Sequence, residues 1–109
     1  MSLELTTNDN AGYVAVDDEM TIYTALLHKE KLLPWIREFR HLVLDMSNVP
    51  ELDGAGVQLL LTLNAEAERQ HTRLELANLS ETTSRVLSLL RLTDRFSLSQ
   101  SANEEPRNG

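Results

Sequence analysis

The residues of this chain best placed to do chemistry sit in "ELDGAGVQLLLTL", positions 51–63. Asp53 is followed by Gly54, Ala55 and Gly56, and then by an apolar run. Such a stretch could be a catalytic carboxylate loop, a cradle for an anion, or a docking surface. The phosphate signatures ask for more: a dinucleotide fingerprint has a longer glycine pattern, and a P-loop has a Lys followed by Ser or Thr. Neither occurs in the sequence, and there is no G-x-S-x-G nucleophile elbow. Two readings of the stretch stay open. In one it is a recognition loop, with backbone N–H groups at a helix start free to face a ligand and glycines that let a partner come close. In the other Asp53 only caps the helix and Gly56 packs it against a sheet.

The other reactive side chains form no constellation. His28, His41 and His71 have neither the helical spacing nor the neighbouring Glu of a zinc signature, so all three are expected at the surface. Asp17, Asp18 and Glu19 lack the alternation and closing glutamate of a calcium loop. They are expected to complement a helix start. With 109 residues and no cysteine, the chain has room for one core and no thiolate metal site. A net charge of −7 argues against nucleic acid and for a basic protein partner. The first ten residues show no secretory signal pattern and no segment reaches membrane-spanning length, so a cytoplasmic protein without membrane insertion is expected. No cofactor, metal or catalytic activity is expected.

The elements that must hold Asp53 follow from periodicity. "LELTT" (3–7) and "YVAV" (13–16) alternate as strands around the turn "NDNAG" (8–12), where Gly12 would supply positive φ. From 22 to 39 the residues Ile22, Leu26, Leu33, Ile36 and Phe39 recur at helical spacing, with Pro34 expected to make the helix irregular. "HLVLDM" (41–46) reads as a central strand, 55–70 as a helix, "RLELANL" (73–79) as a strand, and 81–92 as a helix capped by Ser80. "RFSLS" (95–99) suits a short edge strand, and 100–109 reads as a disordered polar tail, leaving 1–99 as the domain. Trp35 and Phe39 are expected in the core, while Val57 and Leu61 suit either the core flank or a contact surface. The order β-β-α-β-α-β-α-β implies a mixed, mainly parallel α/β sheet led by an antiparallel hairpin.

Four stretches, "VLDMSNV" (43–49), "LDGAGVQLLL" (52–61), "RLELANLS" (73–80) and "VLSLLRLTDRF" (86–96), resemble the STAS domain, the sulphate transporter and anti-sigma factor antagonist family. The resemblance spans roughly 3–98. It is nearest in look to small stand-alone bacterial members such as those accompanying chemotaxis genes. It implies a binding protein, not an enzyme, whose partner is an anti-sigma kinase-like protein or a chemotaxis component. "LLPWI" (32–36) is also similar to the STAS subunit of an ATP-driven phospholipid transporter, whose partner is the ATPase subunit. A homodimer is compatible with either role. Family members carry a phosphorylatable Ser or Thr directly after the loop aspartate; Gly54 stands there and has no hydroxyl. The partner-binding surface implied is Asp53, Gly54, Ala55, Gly56, Val57, Gln58, Leu61 and Thr62, with Asp53 orienting the loop and the amides beside it open to the partner.

Overall fold

The structure is a computed structural model that describes residues 3–99; the expected tail at 100–109 lies outside the described residues. Strands β1 (Leu3–Asn8) and β2 (Ala11–Val16) form the expected hairpin, pairing antiparallel from Leu3 with Val16 to Asn8 with Ala11. The two-residue turn is Asp9–Asn10, and its positive φ of 57° belongs to Asp9 rather than to a glycine. An aspartate tolerates that conformation because its short side chain bonds locally. Gly12 lies instead within β2, where a Cβ would come to 3.0 Å from both Phe39 and Leu42. Its missing side chain makes room for helix packing, not for a turn.

Three helices then alternate with strands: α1 (Ala25–Glu38), β3 (His41–Asp45), α2 (Gly54–Gln70), β4 (Arg73–Ala77), α3 (Glu81–Leu89) and the edge strand β5 (Ser97–Ser99). The five strands lie in sequence order, β2 to β5 mutually parallel. Each crossover moves one strand in the same direction, so right-handed connections put all the helices on one face. The register agrees. Leu5, Val14, Leu44, Leu76 and Leu98 lie on one cross-strand row, and Val14, Leu44 and Leu76 are buried. They join Leu32 and Ile36 of α1, Leu60 and Leu63 of α2 and Leu87 of α3 in a single cluster. The next row, Thr6, Tyr13, Val43, Glu75 and Ser97, points to the opposite face. There Glu75 accepts from Arg73 at 2.8 Å and faces His41 at 3.2 Å.

Helix α1 departs from its sequence reading. It runs unbroken through Pro34, which stands at an exposed position where water can serve the carbonyl that the missing N–H abandons. Its buried stripe is His28, Leu32 and Ile36, continued by Phe39 just beyond the helix. Leu26 lies two residues from His28, about 200° around the helix, and faces out. Trp35 is partly buried against the core. At its far end Thr72 donates its hydroxyl to the carbonyls of Ile36 (2.7 Å) and Phe39 (3.1 Å), tying α1 to the start of β4. Glu66 of α2 pins α1 to α2 through Arg37. It accepts from Arg37, Arg69 and Gln70, which hold its carboxyl at about 2, far below the ordinary value of 4.5.

His28 corrects the expectation of a surface histidine: it is 1% exposed. Its Nε2 is 3.4 Å from Asp18 Oδ2, and neither ring nitrogen makes a hydrogen bond among the described residues. Burial pushes its pKa below the usual 6.5, and the Asp18 carboxylate opposes that without cancelling it. The unfolded chain takes up a proton that the folded one resists, so stability is full above 6.5 and falls as the pH drops below it. Urea midpoints at pH 7.5 and 5.5 should therefore fall with acidification, and His28→Leu should flatten the difference; an unchanged slope in the variant would remove His28 as its source.

Candidate functional site

The site is built where the chain leaves β2 and β3, at the carboxyl ends of two adjacent parallel strands. In open α/β sheets that edge is the usual place for a functional crevice. Here the two connections are zipped together. The Met20 amide donates to the Glu51 carbonyl (2.9 Å), the Asp53 amide donates to the Met20 carbonyl (3.3 Å), and Met20 and Leu52 form a parallel bridge. Met20 is wholly buried beneath them.

Asp53 completes the joint with its side chain. Oδ1 accepts from the Gly56 amide at 3.0 Å, the N-cap bond of α2, and Oδ2 accepts from the Ile22 amide at 3.0 Å across the gap between the loops. These amides, Gly56 first and Ile22 second, hold the Asp53 carboxyl below the ordinary carboxylate value of 3.8. One side chain therefore caps a helix and clamps a second loop. The amides expected to stand open at the helix start are in part filled by the chain's own anion. A second anion would meet a carboxylate there, so the loop is no phosphate cradle.

The two glycines have opposite roles. A Cβ on Gly56 would overlap the Met20 carbonyl oxygen and come within 2.8 Å of Leu52 Cδ1. Gly56 is what lets α2 approach the other loop closely enough for Asp53 to reach both. A Cβ on Gly54 would meet nothing within 4 Å. Of the sequence-predicted surface, Gly54, Gln58 and Thr62 are exposed and Ala55 and Leu61 are half-buried. Gly56 and Val57 are buried; the latter belongs to the core cluster and cannot line a contact.

Sequence reasoning missed the other half of the surface. The backbone between Glu19 and Ala25 is knotted by hydroxyls. Thr21 donates to Glu19 Oε2 (2.7 Å) and accepts from the Tyr23 amide (3.2 Å), while Thr24 donates to the Glu19 carbonyl (2.8 Å) and accepts from the Thr21 amide (3.1 Å). This knot turns Ile22 (69% exposed), Tyr23 (87%) and, one turn on, Leu26 (68%) out to solvent beside Gly54. The acidic run 17–19 does not serve a helix start as expected, because α1 begins only at Ala25 and has no acidic residue in its first turn. Asp18 caps the Glu19 amide (2.8 Å) and faces His28, and Glu19 serves Thr21. The signal for the exposed strip was the phase of α1: residues 28, 32 and 36 define one face, and Leu26 falls on the other.

Two hollows flank this strip. One, of about 360 Å³, lies among Glu19, Tyr23, Glu51, Asp53 and Thr82; the other, of about 250 Å³, lies between Leu26 and Lys29 of α1 and Gln58 and Thr62 of α2. No group of three or more acidic or imidazole side chains suited to a metal occurs among the described residues.

Comparison with known proteins fits this geometry. The STAS domain family model matches residues 2–105. The anti-sigma-B factor antagonist of Bacillus subtilis (strain 168) is 25% identical over 99 residues, covering 91% of each chain. The crystal structure of an anti-sigma factor antagonist from Mycobacterium paratuberculosis superposes with a TM-score of 0.81 at 20% identity, over 93% of this chain and 86% of that one. Unphosphorylated SpoIIAA, an anti-sigma factor antagonist from Bacillus, superposes with a TM-score of 0.78 at 18% identity, over 96% and 92%. At such identities the structural likeness speaks for the fold.

The glycine contrast is measurable. Gly56→Ala should cost about 2–3 kcal/mol in urea unfolding, as overpacking against a rigid carbonyl does. Gly54→Ala should lie within about 0.5 kcal/mol of the parent, or slightly above it, since it adds a helix former in open space. Equal effects would contradict the packing described.

Proposed function

This chain belongs to the STAS domain family, and we propose that it is a non-catalytic regulatory module that docks another protein in the manner of an anti-sigma factor antagonist. One observation carries the reading: the polar groups of the joint are turned inward and satisfied, while Ile22, Tyr23 and Leu26 on one side of it and Gly54 on the other are left uncovered. Exposed apolar side chains grouped on a rigidly held loop suit contact with another macromolecule; Leu89 and Leu90, at the end of α3, are exposed as well but belong to no such joint. Asp53 is committed to two backbone amides and is not poised to act on a substrate.

The docking surface is the strip together with Ala55, Gln58, Thr62 and the exposed edge of Leu61, and Asp53 and Gly56 hold it in place from below. The partner classes are an anti-sigma kinase-like protein, a chemotaxis component, or the ATPase subunit of a lipid transporter. In the family the position after the loop aspartate receives a phosphoryl group, which adds about −1.5 to −2 charges at a helix start. Gly54 offers no oxygen for that transfer. Docking here is constitutive, or its control sits on another residue.

Gly54 is also the place to test the reading, because a side chain there meets no neighbour. Gly54→Arg should keep the parent's melting temperature within a few degrees and lose partner capture by at least tenfold in affinity purification from the native host. Capture at the parent level by a folded Gly54→Arg variant would overturn the docking surface.

A further inference from the structure

The larger of the two hollows is lined by acidic side chains together with Tyr23, Pro50 and Leu52. Glu19, Glu51 and Asp53 contribute carboxylates, and no lysine or arginine lines it. Asp53 is neutralised in part by the amides of Gly56 and Ile22, and Glu19 has one oxygen taken by Thr21. Glu51 is exposed and makes no ion pair among the described residues. Tyr23, the most exposed of the large apolar residues, lines it, and the exposed Ile22 precedes it in the chain. The two observations are independent: the strip is exposed because Thr21 and Thr24 hold it out, and the charge comes from residues on two different loops.

Resting on the docking reading above, we infer that this hollow receives a cationic side chain of the partner, an arginine flanked by apolar residues. The guanidinium enters between Glu19 and Glu51, where its planar fork can serve both carboxylates at once. The apolar neighbours cover Tyr23 and Ile22. Charge decides among the possible occupants. A second copy of a chain with net charge −7 brings like charge to an acidic hollow, and an anionic lipid surface or a nucleic acid does the same. The surface therefore selects a basic, amphipathic protein segment.

The test uses two capped tripeptides, Leu-Arg-Leu and Leu-Glu-Leu, titrated into the full chain and read by amide chemical shifts. The Arg peptide should move the amides of Tyr23, Glu51 and Gly54. Its affinity should drop on the order of fivefold in the double variant Glu19→Gln, Glu51→Gln, and also with added salt. The Glu peptide should leave the same amides in place. Equal responses to the two peptides, no response to the Arg peptide, shifts on another face, or a dimer burying Tyr23 in sedimentation would each overturn the inference. The two proposals separate cleanly. A captured partner that ignores the double variant but is lost with Gly54→Arg leaves the docking surface standing and removes the cationic assignment; a partner indifferent to Gly54→Arg removes both.

Discussion

Everything at the functional edge of this molecule hangs on a carboxylate that serves two masters. Asp53 must reach the first turn of its own helix and the Ile22 amide of another loop, both at 3.0 Å. Two bonds from distinct segments fix the position of the side chain, and through it the angle between the β2–α1 and β3–α2 connections. Because these amides favour the charged form, the Asp53 carboxyl gives up its proton more readily than an ordinary aspartate. In a chain without cysteine, these hydrogen bonds and the bridge of Met20 with Leu52 join the two loops.

That joint imposes its own demands on nearby residues. Gly56 must lack a side chain, Met20 must present its carbonyl, and Thr21 and Thr24 must consume the polar groups of the turn. Gly54 answers to none of these demands and is free to vary without disturbing the fold. Two residues of one helix thus separate a position set by architecture from one that the architecture leaves open.

Much of this was legible from residue order. Alternation gave the hairpin, helix length and strand length gave the βα succession, and Ser80 and Asp53 proved to be helix caps, accepting from Thr83 and Gly56 respectively. What escaped was tertiary in origin. His28 looks like a solvent residue by type, and only the phase of Leu32 and Ile36 places it inside. Gly12 looks like a turn residue, yet Asp9 takes the left-handed conformation while Gly12 accommodates Phe39 and Leu42. Ile22 and Leu26 recur at helical spacing with Leu33 and Ile36, but the helix starts after Ile22 and turns Leu26 away from the core. The sequence leaves both a capping Asp53 and open amides at the start of α2 as readings; the bond to Gly56 bears out the cap, while the reach of the same carboxylate to Ile22 is tertiary in origin.

The sequential order of the five strands has a further bearing, on how the molecule comes into being. Every strand after the first pairs with the one synthesised just before it, so no edge has to wait for a distant stretch of polypeptide. Entropic losses on closing each segment are small and are incurred one at a time. A ribosome delivering this chain from its amino end releases the hairpin first, and each later βα unit arrives at a template already in place.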